Sequence, residues 1–300
     1  MCTFGTDLNI VCVTTIVHRV ICALLTTAHN TLYNVTTAIH TFIHFQKSFQ
    51  KKIGLKPFII LSFFVKFILG GDNLSIYAIS DLHLSFGADK PMNIFRGWDN
   101  YEEKIKANWT RLVTQDDTVI IPGDISWALK LEDTLADFKF IDSLPGKKII
   151  LKGNHDLWWS TMNKLNVFFA ENKIETIKAV FNSAIVVDDK AICGTRGWDY
   201  ASSGESEQKV RSREAGRLEA SIKAALETGK EPLVFLHFPP VYADFVCDEL
   251  MEIIKKYGIK AIYHGHIHGA GCHNAVAEYD GVKFKLLSCD CVDFTPQFIC

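Results

Sequence analysis

Short apolar runs alternate with longer amphipathic stretches from Ser75 onward, which is typical of a fold that mixes strands with helices. Five of these runs are rich in Ile, Val, Leu or Phe and have the length of buried strands. They are residues 75–80, 118–121, 148–151, 233–236 and 261–263. Each run leads directly into polar residues. Because open α/β sheets bind ligands at the carboxyl ends of their strands, these polar residues are the first candidates for a site.

Apolar residues spaced three and four apart predict five helices between the strands. The helices cover residues 101–113, 131–144, 160–171, 205–228 and 245–257, with Ser160 as the expected N-cap of the third. Residues 275–288 are predicted to form a hairpin that turns at Asp280 and Gly281, since this dipeptide accepts positive φ. Residues 74–300 are therefore expected to form one α/β domain.

The first 73 residues do not follow this pattern, and they contain no Asp, Glu, Lys or Arg between Val20 and Gln46. Their apolar runs are too short, or too interrupted by charge, to predict a membrane-spanning helix, and no secretory signal is recognisable. Codons for Gly70 to Asn73 can spell a ribosome-binding site, and a leucine codon can start translation. We therefore expect the native protein to begin at Leu74. The alternatives are a disordered extension and a weak membrane anchor.

Charge is distributed unevenly between the two parts of the chain. Residues 1–73 hold six Lys or Arg and two Asp or Glu, against 26 and 32 in the remainder, so the main body carries a net charge of −6. A protein that holds long nucleic acid is expected to show a basic stripe or patch instead. The composition therefore favours a small or locally bound substrate.

The nine cysteines include no Cys-x-x-Cys pair, and an odd, scattered count is not typical of a disulfide framework. We therefore expect reduced thiols and a cytoplasmic location. Cys289 and Cys291 alternate along a predicted strand, and we interpret them as two thiols buried on one face.

Carboxylate, amide and imidazole side chains follow the five predicted strands. In chain order the segments are Asp81-Leu82-His83, Gly123-Asp124, Gly153-Asn154-His155-Asp156, the single residue His237, and Gly265-His266-Ile267-His268. Five of the seven histidines from Leu74 onward lie in these segments. Any one of these segments alone is weak evidence, because polar residues are common in loops. Their order at five successive strand ends predicts a site for divalent metals. The glycines let the backbone turn sharply at a crowded edge.

This order of motifs, DxH, GD, GNH[DE], H and GHxH, resembles the ligand pattern of the calcineurin-like metallophosphoesterase superfamily, with no member missing. The resemblance extends from Ser75 to the C-terminus. It implies an α/β fold in the form of a four-layer αββα sandwich with the metals at one edge. Residues 1–73 lie outside the resemblance, and we expect them to form a poorly defined extension. The motifs are closer to those of bacterial phosphohydrolases than to the GDxHG, GDxVDRG and GNHE motifs of protein Ser/Thr phosphatases.

The resemblance implies two divalent metal ions held by seven side chains. The first ion is expected to have the ligands Asp81, His83 and His268, and the second Asn154, His237 and His266. Asp124 is expected to bridge the two ions, because a carboxylate offers two oxygens. Manganese, iron, zinc and nickel all suit such a ligand set, and manganese is favoured.

The same resemblance implies the reaction. Two ions would lower the pKa of a bridging water, so that hydroxide attacks phosphorus in line without a phosphoenzyme. His155 is expected to lie beside the ions and to give a proton to the leaving group, while Asp156 orients its ring.

Candidate substrate contacts come from residues near the predicted strand ends. Arg196 is a candidate to grip a phosphate oxygen, with a surface ion pair as the alternative. Trp158 is a candidate to stack on a ring of the substrate, with core packing as the alternative. Arg217, in the predicted helix 205–228, is interpreted as part of a solvated face of mixed charge.

The sequence thus predicts a metal-dependent hydrolase of phosphate mono- or diesters that acts on a small substrate. A nuclease of the same superfamily is one alternative, which the acidic main body disfavours. A non-catalytic metal-binding scaffold is the other, and the full set of ligand motifs disfavours it. The sequence indicates neither the physiological substrate nor the oligomeric state.

Overall fold

In this computed structural model, residues 74–198 and 205–300 are described, and of residues 205–207 the backbone alone. Leu74–Cys300 is a compact unit. The expectations for residues 1–73 lie outside the described residues and stay predictions. Among the helices of the described ranges, none is both long and apolar enough to cross a membrane.

Thirteen strands and five α-helices occur in the described ranges. The strands are β1 (Ile76–Ala78), β2 (Thr118–Ile121), β3 (Lys147–Ile150), β4 (Ile177–Ala179), β5 (Ala184–Val187), β6 (Lys190–Thr195), β7 (Glu231–Leu236), β8 (Val241–Tyr242), β9 (Phe245–Val246), β10 (Ala261–His264), β11 (Glu278–Tyr279), β12 (Val282–Leu286) and β13 (Gln297–Phe298). The helices are α1 (Tyr101–Leu112), α2 (Leu135–Ser143), α3 (Met162–Glu171), α4 (Glu205–Glu227) and α5 (Asp248–Lys256).

The strands form two large sheets and one small hairpin. The first sheet has the order β13-β1-β2-β3-β4, in which β1 to β4 are parallel. The second has the order β11-β12-β10-β7-β6-β5, in which β12, β10, β7 and β6 are parallel. Strands β8 and β9 pair with each other. Because parallel neighbours end at the same edge of a sheet, the segments that follow them lie together.

Successive side chains along the strands enter different layers of the core. Tyr77 packs in a cluster with residues of α1, α2 and α3, whereas Ile76 packs between the two sheets. In β7, Val234 packs with residues of α4 and α5, whereas Phe235 packs between the sheets. The order of layers is therefore helix, sheet, sheet, helix, and the predicted αββα sandwich is confirmed. Burial on both faces explains why these strands are continuous apolar runs.

The five predicted strands are all present, with ends that differ from the prediction by no more than two residues. The predicted hairpin is also present, and Asp280 and Gly281 both have positive φ, of 49° and 76°. The sequence did not indicate β4, β5 and β6. Strand β4 includes the exposed Lys178 and β5 the exposed Val186, so these two strands lack the continuous apolar pattern.

Three predicted helices need correction. Residues 132–134 form a 3₁₀ turn, and α2 begins at Leu135. The N-cap of α3 is Thr161 instead of Ser160, since the Thr161 hydroxyl accepts a hydrogen bond from the amide of Lys164 at 3.3 Å. The predicted helix 245–257 begins at Asp248, because Phe245 and Val246 pair with β8 as strand β9.

The expectation for the cysteines is also corrected. Cys272 and Cys291 form a disulfide, whereas Cys289 is a buried free thiol. Residues 289–292 form a 3₁₀ turn instead of a strand, so the two thiols do not share one face. The cytoplasmic location stays a prediction.

Candidate metal centre

The seven predicted ligands lie together at one edge of the sandwich, in the segments that follow β1, β2, β3, β7 and β10. They form two groups of donor atoms with a single carboxylate between them. The first group is Asp81, His83 and His268, and the second is Asn154, His237 and His266. This is the grouping that the resemblance implied.

In the first group, Nε2 of His268 is 3.2 Å from Oδ1 of Asp81 and 3.3 Å from Nε2 of His83. Two imidazole nitrogens that face each other beside a carboxylate oxygen converge on one point. The carboxylate of Asp81 is held from behind, because Oδ2 accepts hydrogen bonds from the Ser288 hydroxyl and the His266 amide, both at 3.0 Å.

In the second group, Oδ1 of Asn154 is 2.7 Å from Nε2 of His237 and 3.0 Å from Nδ1 of His266. The amide oxygen is neutral, so it adds a ligand without adding negative charge. His237 is fully buried, which restricts this group to one approach from outside.

Asp124 connects the two groups through one oxygen. Its Oδ2 is 3.3 Å from Nε2 of His237 and 3.8 Å from Nε2 of His83. Its other oxygen, Oδ1, accepts a hydrogen bond from the backbone amide of His155 at 2.8 Å. The structure therefore places a single oxygen of Asp124 between the two groups, whereas the prediction from the sequence used both oxygens of this carboxylate.

Hydrogen bonds behind two of the histidines set the tautomer that a metal ligand needs. Nδ1 of His237 is 3.1 Å from the carbonyl oxygen of Pro122, and Nδ1 of His268 is 2.8 Å from Oδ1 of Asp290. Because a carbonyl or carboxylate oxygen can only accept, each Nδ1–H donates, and each Nε2 faces the site as the nitrogen that binds a metal ion once it has lost its proton. The donor set therefore fits two divalent ions.

The backbone at this edge is strained. Asp81, His83, Asp124 and His266 all have positive φ, between 46° and 70°. Each such conformation costs a non-glycine residue on the order of 1 kcal/mol or more. Amide hydrogen bonds hold two of them, from Asp81 to the carbonyl of Gly123 and from His83 to the carbonyl of Asp124, both at 3.0 Å. Strain of this kind is typical of functional sites.

Glycine is required where the segments approach each other most closely. A Cβ on Gly153 would lie 2.1 Å from Oδ1 of Asp124, and a Cβ on Gly265 would lie 2.2 Å from Oδ2 of Asp81. Both distances are far inside van der Waals contact. The glycines of the two motifs therefore make room for the carboxylates.

The carboxylates of the site are ionised. Burial would raise the pKa of Asp81, but the hydrogen bond with His268 and the charges of His268, His237 and His83 together outweigh burial and hold that pKa well below its usual range. Burial would also raise the pKa of Asp124, but the hydrogen bond with His237 and the charges of His237 and His83 together outweigh burial and lower that pKa to about 2. Ionised carboxylates are the form that binds metal ions.

Two of the imidazoles carry protons when they face these carboxylates. Burial lowers the pKa of His237, but the negative charges of Asp124, Asp81 and Asp156 and the hydrogen bond with Asp124 together outweigh burial and raise the pKa to about 9. For His268, the charges of Asp81 and Asp290 and the hydrogen bonds with both carboxylates together outweigh burial and raise the pKa to about 10. Metal ions must therefore displace protons from both rings.

His155 lies beside the ligands as expected, with Nε2 4.0 Å from Oδ2 of Asp124 and a side chain that is 42% exposed. The expectation for Asp156 is corrected. Its fully buried carboxylate accepts hydrogen bonds from four backbone amides, those of Gly153, Asp124, Ile125 and Ser126, at 2.7 to 3.3 Å. Asp156 therefore joins the segments after β2 and β3 instead of orienting the ring of His155.

The prediction that Trp158 contacts substrate is wrong. Trp158 is 3% exposed and packs edge-on against Phe138 in the core beneath α2 and α3. Trp127 instead lies against the site: its ring stacks on His83 with centroids 4.8 Å apart and is 4.3 Å from the ring of His155. Trp127 therefore restricts both imidazoles.

Arg196 lies beside the centre, since its carbonyl oxygen accepts hydrogen bonds from the amides of His237 and Phe238 at 3.2 and 2.8 Å. Its guanidinium points toward Glu214, with 3.9 Å between Nη2 and Oε1. Glu214 is fully buried and also contacts Arg217, so the interpretation of this helix face as solvated is corrected. Arg196 as a phosphate ligand stays a prediction.

Sequence reasoning missed Ser288 and Asp290, which hold Asp81 and His268 from behind. A signal for them exists, because they follow β12, a strand parallel to β10 whose carboxyl end lies at the same edge. The Cys272–Cys291 disulfide joins the segment after His268 to the segment that carries Asp290. Asp290 and the disulfide together hold the segment that carries His268, a ligand of the first group.

The chain matches a known protein family. Residues 74–270 match the family described as calcineurin-like phosphoesterase. No curated protein matches the chain in sequence. Similar solved structures include a protein of unknown function from Aquifex aeolicus, with 18% identity over 75% of this chain and 96% of that one and a TM-score of 0.42.

Two further solved structures resemble this chain with similar identity, coverage and TM-score. The phosphopantetheinyl hydrolase of Mycobacterium tuberculosis has 15% identity over 73% of this chain and 90% of that one, with a TM-score of 0.41. A protein of Thermus thermophilus has 14% identity over 75% of this chain and 98% of that one, with a TM-score of 0.46.

Proposed function

The chain belongs to the calcineurin-like phosphoesterase family, and we propose that it is a binuclear metal-dependent hydrolase of small phosphate mono- or diesters. The observation that carries this proposal is the position of Asp124. Its Oδ2 lies within 4 Å of a ligand nitrogen in each of the two donor groups, at His83 and at His237. A carboxylate oxygen shared in this way supports a pair of ions instead of one.

The ligands of each ion follow from the two groups. Asp81, His83 and His268 would hold one ion, Asn154, His237 and His266 the other, and Asp124 both. When bound, two divalent ions supply a water of lowered pKa as the nucleophile and neutralise charge on the phosphate. We propose manganese as the preferred metal, because the set combines oxygen with imidazole nitrogen and contains no thiolate.

His155 is the residue that would move a proton. It is not buried like the ligands, and its half-exposed ring lies on the open side of Asp124 with Nε2 facing the site. An Nε2–H at this position can donate to the oxygen that leaves phosphorus. Trp127 packs against the ring and limits its rotation, so the donor is held in place.

Two alternatives to this proposal predict different results with small phosphate esters. A nuclease needs a surface that neutralises many phosphates, and the net charge of −6 in residues 74–300 opposes this. A metal-binding scaffold needs the ligands but no proton donor, and the exposed position of His155 opposes this. Turnover of a small ester separates the scaffold from the proposal, and a preference for DNA over small esters identifies the nuclease.

The test combines metal analysis with an ester panel. Freshly purified protein is loaded with manganese and assayed on para-nitrophenyl phosphate, bis-para-nitrophenyl phosphate and single-stranded DNA. We expect hydrolysis of a small ester that requires metal, and a loss of at least about 100-fold in Asp124→Asn, because that variant weakens both groups at once. Full activity of Asp124→Asn contradicts the shared role of this carboxylate. If the protein binds metal fully but hydrolyses neither ester, the result favours the scaffold. Preferential cleavage of DNA favours the nuclease.

A further inference from the structure

A cavity of about 560 Å³ lies at the same edge of the sandwich as the metal centre. It lies at the carboxyl ends of β3, β4 and β6, beside α4, and we call it the arginine cavity. Its lining includes Lys152, Trp159, Phe181, Arg196, Glu214 and Arg217. Two of the metal ligands, Asn154 and His237, follow β3 and β7, and β6 is the neighbour of β7 in the sheet. The cavity and the metal centre therefore share one edge of the sandwich.

The charges of the arginine cavity do not balance. Three cationic side chains line it, those of Lys152, Arg196 and Arg217, against the single carboxylate of Glu214. Cations that repel one another in a partly buried space favour the binding of an anion.

Glu214 holds the two guanidinium groups in position. Its carboxylate is fully buried, and Oε2 accepts a hydrogen bond from the Thr195 hydroxyl at 2.8 Å. Its Oε1 contacts Nη1 of Arg217 and lies 3.9 Å from Nη2 of Arg196. One carboxylate oxygen cannot saturate two guanidinium groups, each of which has five N–H donors. Donors therefore remain for a ligand.

One of these donors has no acceptor among the described residues. Nε of Arg196 is buried and makes no hydrogen bond within the described part of the chain. A buried donor without an acceptor costs about 1–3 kcal/mol, so its presence needs an explanation. An anion in the arginine cavity would supply the acceptor.

The backbone connects the arginine cavity directly to the metal ligands. Lys152 is two residues before Asn154, and the carbonyl of Arg196 accepts the amide hydrogen of His237. Trp159 and Phe181 give the cavity an apolar wall that suits the uncharged body of a small molecule. Two of the three cations therefore lie on segments next to metal ligands, and the apolar wall lies in the same cavity as these cations.

We propose that the arginine cavity binds a second phosphate group of the substrate, so that the enzyme acts on small phosphoesters that carry another phosphate beyond the one that is cleaved. Two arginines and a lysine around one space suit a tetrahedral dianion, which accepts several charged hydrogen bonds at once. This inference rests on the proposed function, because the metal centre supplies the position of the first phosphate. It narrows the substrate from phosphate esters in general to compounds with two phosphates.

Binding measurements test the inference without turnover. The probes are propane-1,3-diol bisphosphate and propyl phosphate, titrated calorimetrically into the manganese-loaded full chain, with ethane, butane and hexane homologues to vary the reach. We expect at least one bisphosphate to bind about tenfold or more tightly than the monophosphate, because charged hydrogen bonds contribute about 1.5–3 kcal/mol each. Equal affinity for mono- and bisphosphate at every length overturns the proposal.

Variants on two different elements assign the effect to the arginine cavity. Lys152→Gln, after β3, and Arg217→Gln, on α4, are each expected to bring the affinity ratio of bisphosphate to monophosphate close to one. Lys223→Gln is the matched control, since Lys223 also lies on α4 but is 56% exposed and pairs with Glu219. A ratio that stays at the wild-type value in both cavity variants also overturns the proposal.

Hydrolysis of the same probes separates this inference from the proposed function. If the chain hydrolyses the monophosphate and the bisphosphate with equal kcat/KM, the proposed function stands and the arginine cavity does not select substrate. If neither probe is hydrolysed but the bisphosphate binds more tightly and the cavity variants abolish this difference, the cavity stands and the proposed chemistry fails.

Discussion

Asp290 accepts a hydrogen bond from Nδ1 of His268 at 2.8 Å, on the side of the ring opposite the metal centre. Its second oxygen accepts the amide hydrogen of Gly269, also at 2.8 Å. The carboxylate thus fixes both the tautomer of His268 and the segment that carries it. Contacts of this kind determine how well an imidazole presents its lone pair to an ion.

Replacing Asp290 should therefore weaken one metal ion selectively. We expect Asp290→Ala to lower the affinity for one of two manganese ions by about 10- to 100-fold, because the ring of His268 loses its partner. Calorimetric titration with manganese measures both ions. Asp293→Asn is the control, since Asp293 is exposed and has the positive φ of 52° that asparagine accepts. Unchanged affinity for both ions in Asp290→Ala contradicts the supporting role of this carboxylate.

The close approach at Gly153 gives a second prediction. Gly153→Ala should reduce manganese content and activity together, because the new Cβ would lie 2.1 Å from Oδ1 of Asp124 and displace it. Gly216→Ala is the control: nothing lies within 4 Å of its Cβ, and it is in the middle of α4. We expect that variant to keep its metal and to gain about 0.5–1 kcal/mol of stability. Full metal content in Gly153→Ala speaks against the packing described for this carboxylate.

Metal binding should release protons. The pKa values of about 9 for His237 and about 10 for His268 mean that both rings are protonated near neutral pH before metal binds. Each ion must displace a proton, so its affinity should fall about tenfold for each unit that pH decreases between 8.5 and 6.5. Titration with manganese in buffers of different ionisation enthalpy counts the protons. Affinity that does not vary with pH disproves the charge state assigned to these two rings.

The Cys272–Cys291 disulfide should stabilise the fold and support the site. Replacing both cysteines by serine is expected to lower the free energy of unfolding by about 2–4 kcal/mol, because the unfolded chain loses a constraint. Urea unfolding measures this change. Cys300→Ser is the control, since Cys300 is a free, exposed thiol. If the double variant and the control are equally stable, the disulfide contributes nothing in solution.

The sequence predicted which side chains lie together for a topological reason. Parallel strands end at a common edge, so Asp81 and Asp124, which are 43 positions apart, meet after neighbouring strands β1 and β2. Strands buried on both faces are continuous apolar runs, so their ends were readable. The residues that follow them were identified without knowledge of any contact between them.

Features that depend on tertiary contacts could not be predicted in this way. Glu214 and Arg217 have the spacing of an exposed helical ion pair, but Glu214 is fully buried, because α4 packs against β6, and Arg217 is only partly exposed. Asp156 was assigned to His155 because the two are adjacent in sequence, whereas its carboxylate reaches the amides of the neighbouring segment after β2. Local pattern cannot identify which of several polar partners a buried group will take.

The central claim is that seven side chains from five segments enclose two metal ions. Anomalous diffraction at the manganese edge, on crystals grown with manganese, tests it directly. We predict two peaks per chain, one beside Asp81, His83 and His268 and the other beside Asn154, His237 and His266, with Asp124 between them. A single peak, or peaks away from these residues, would contradict the account.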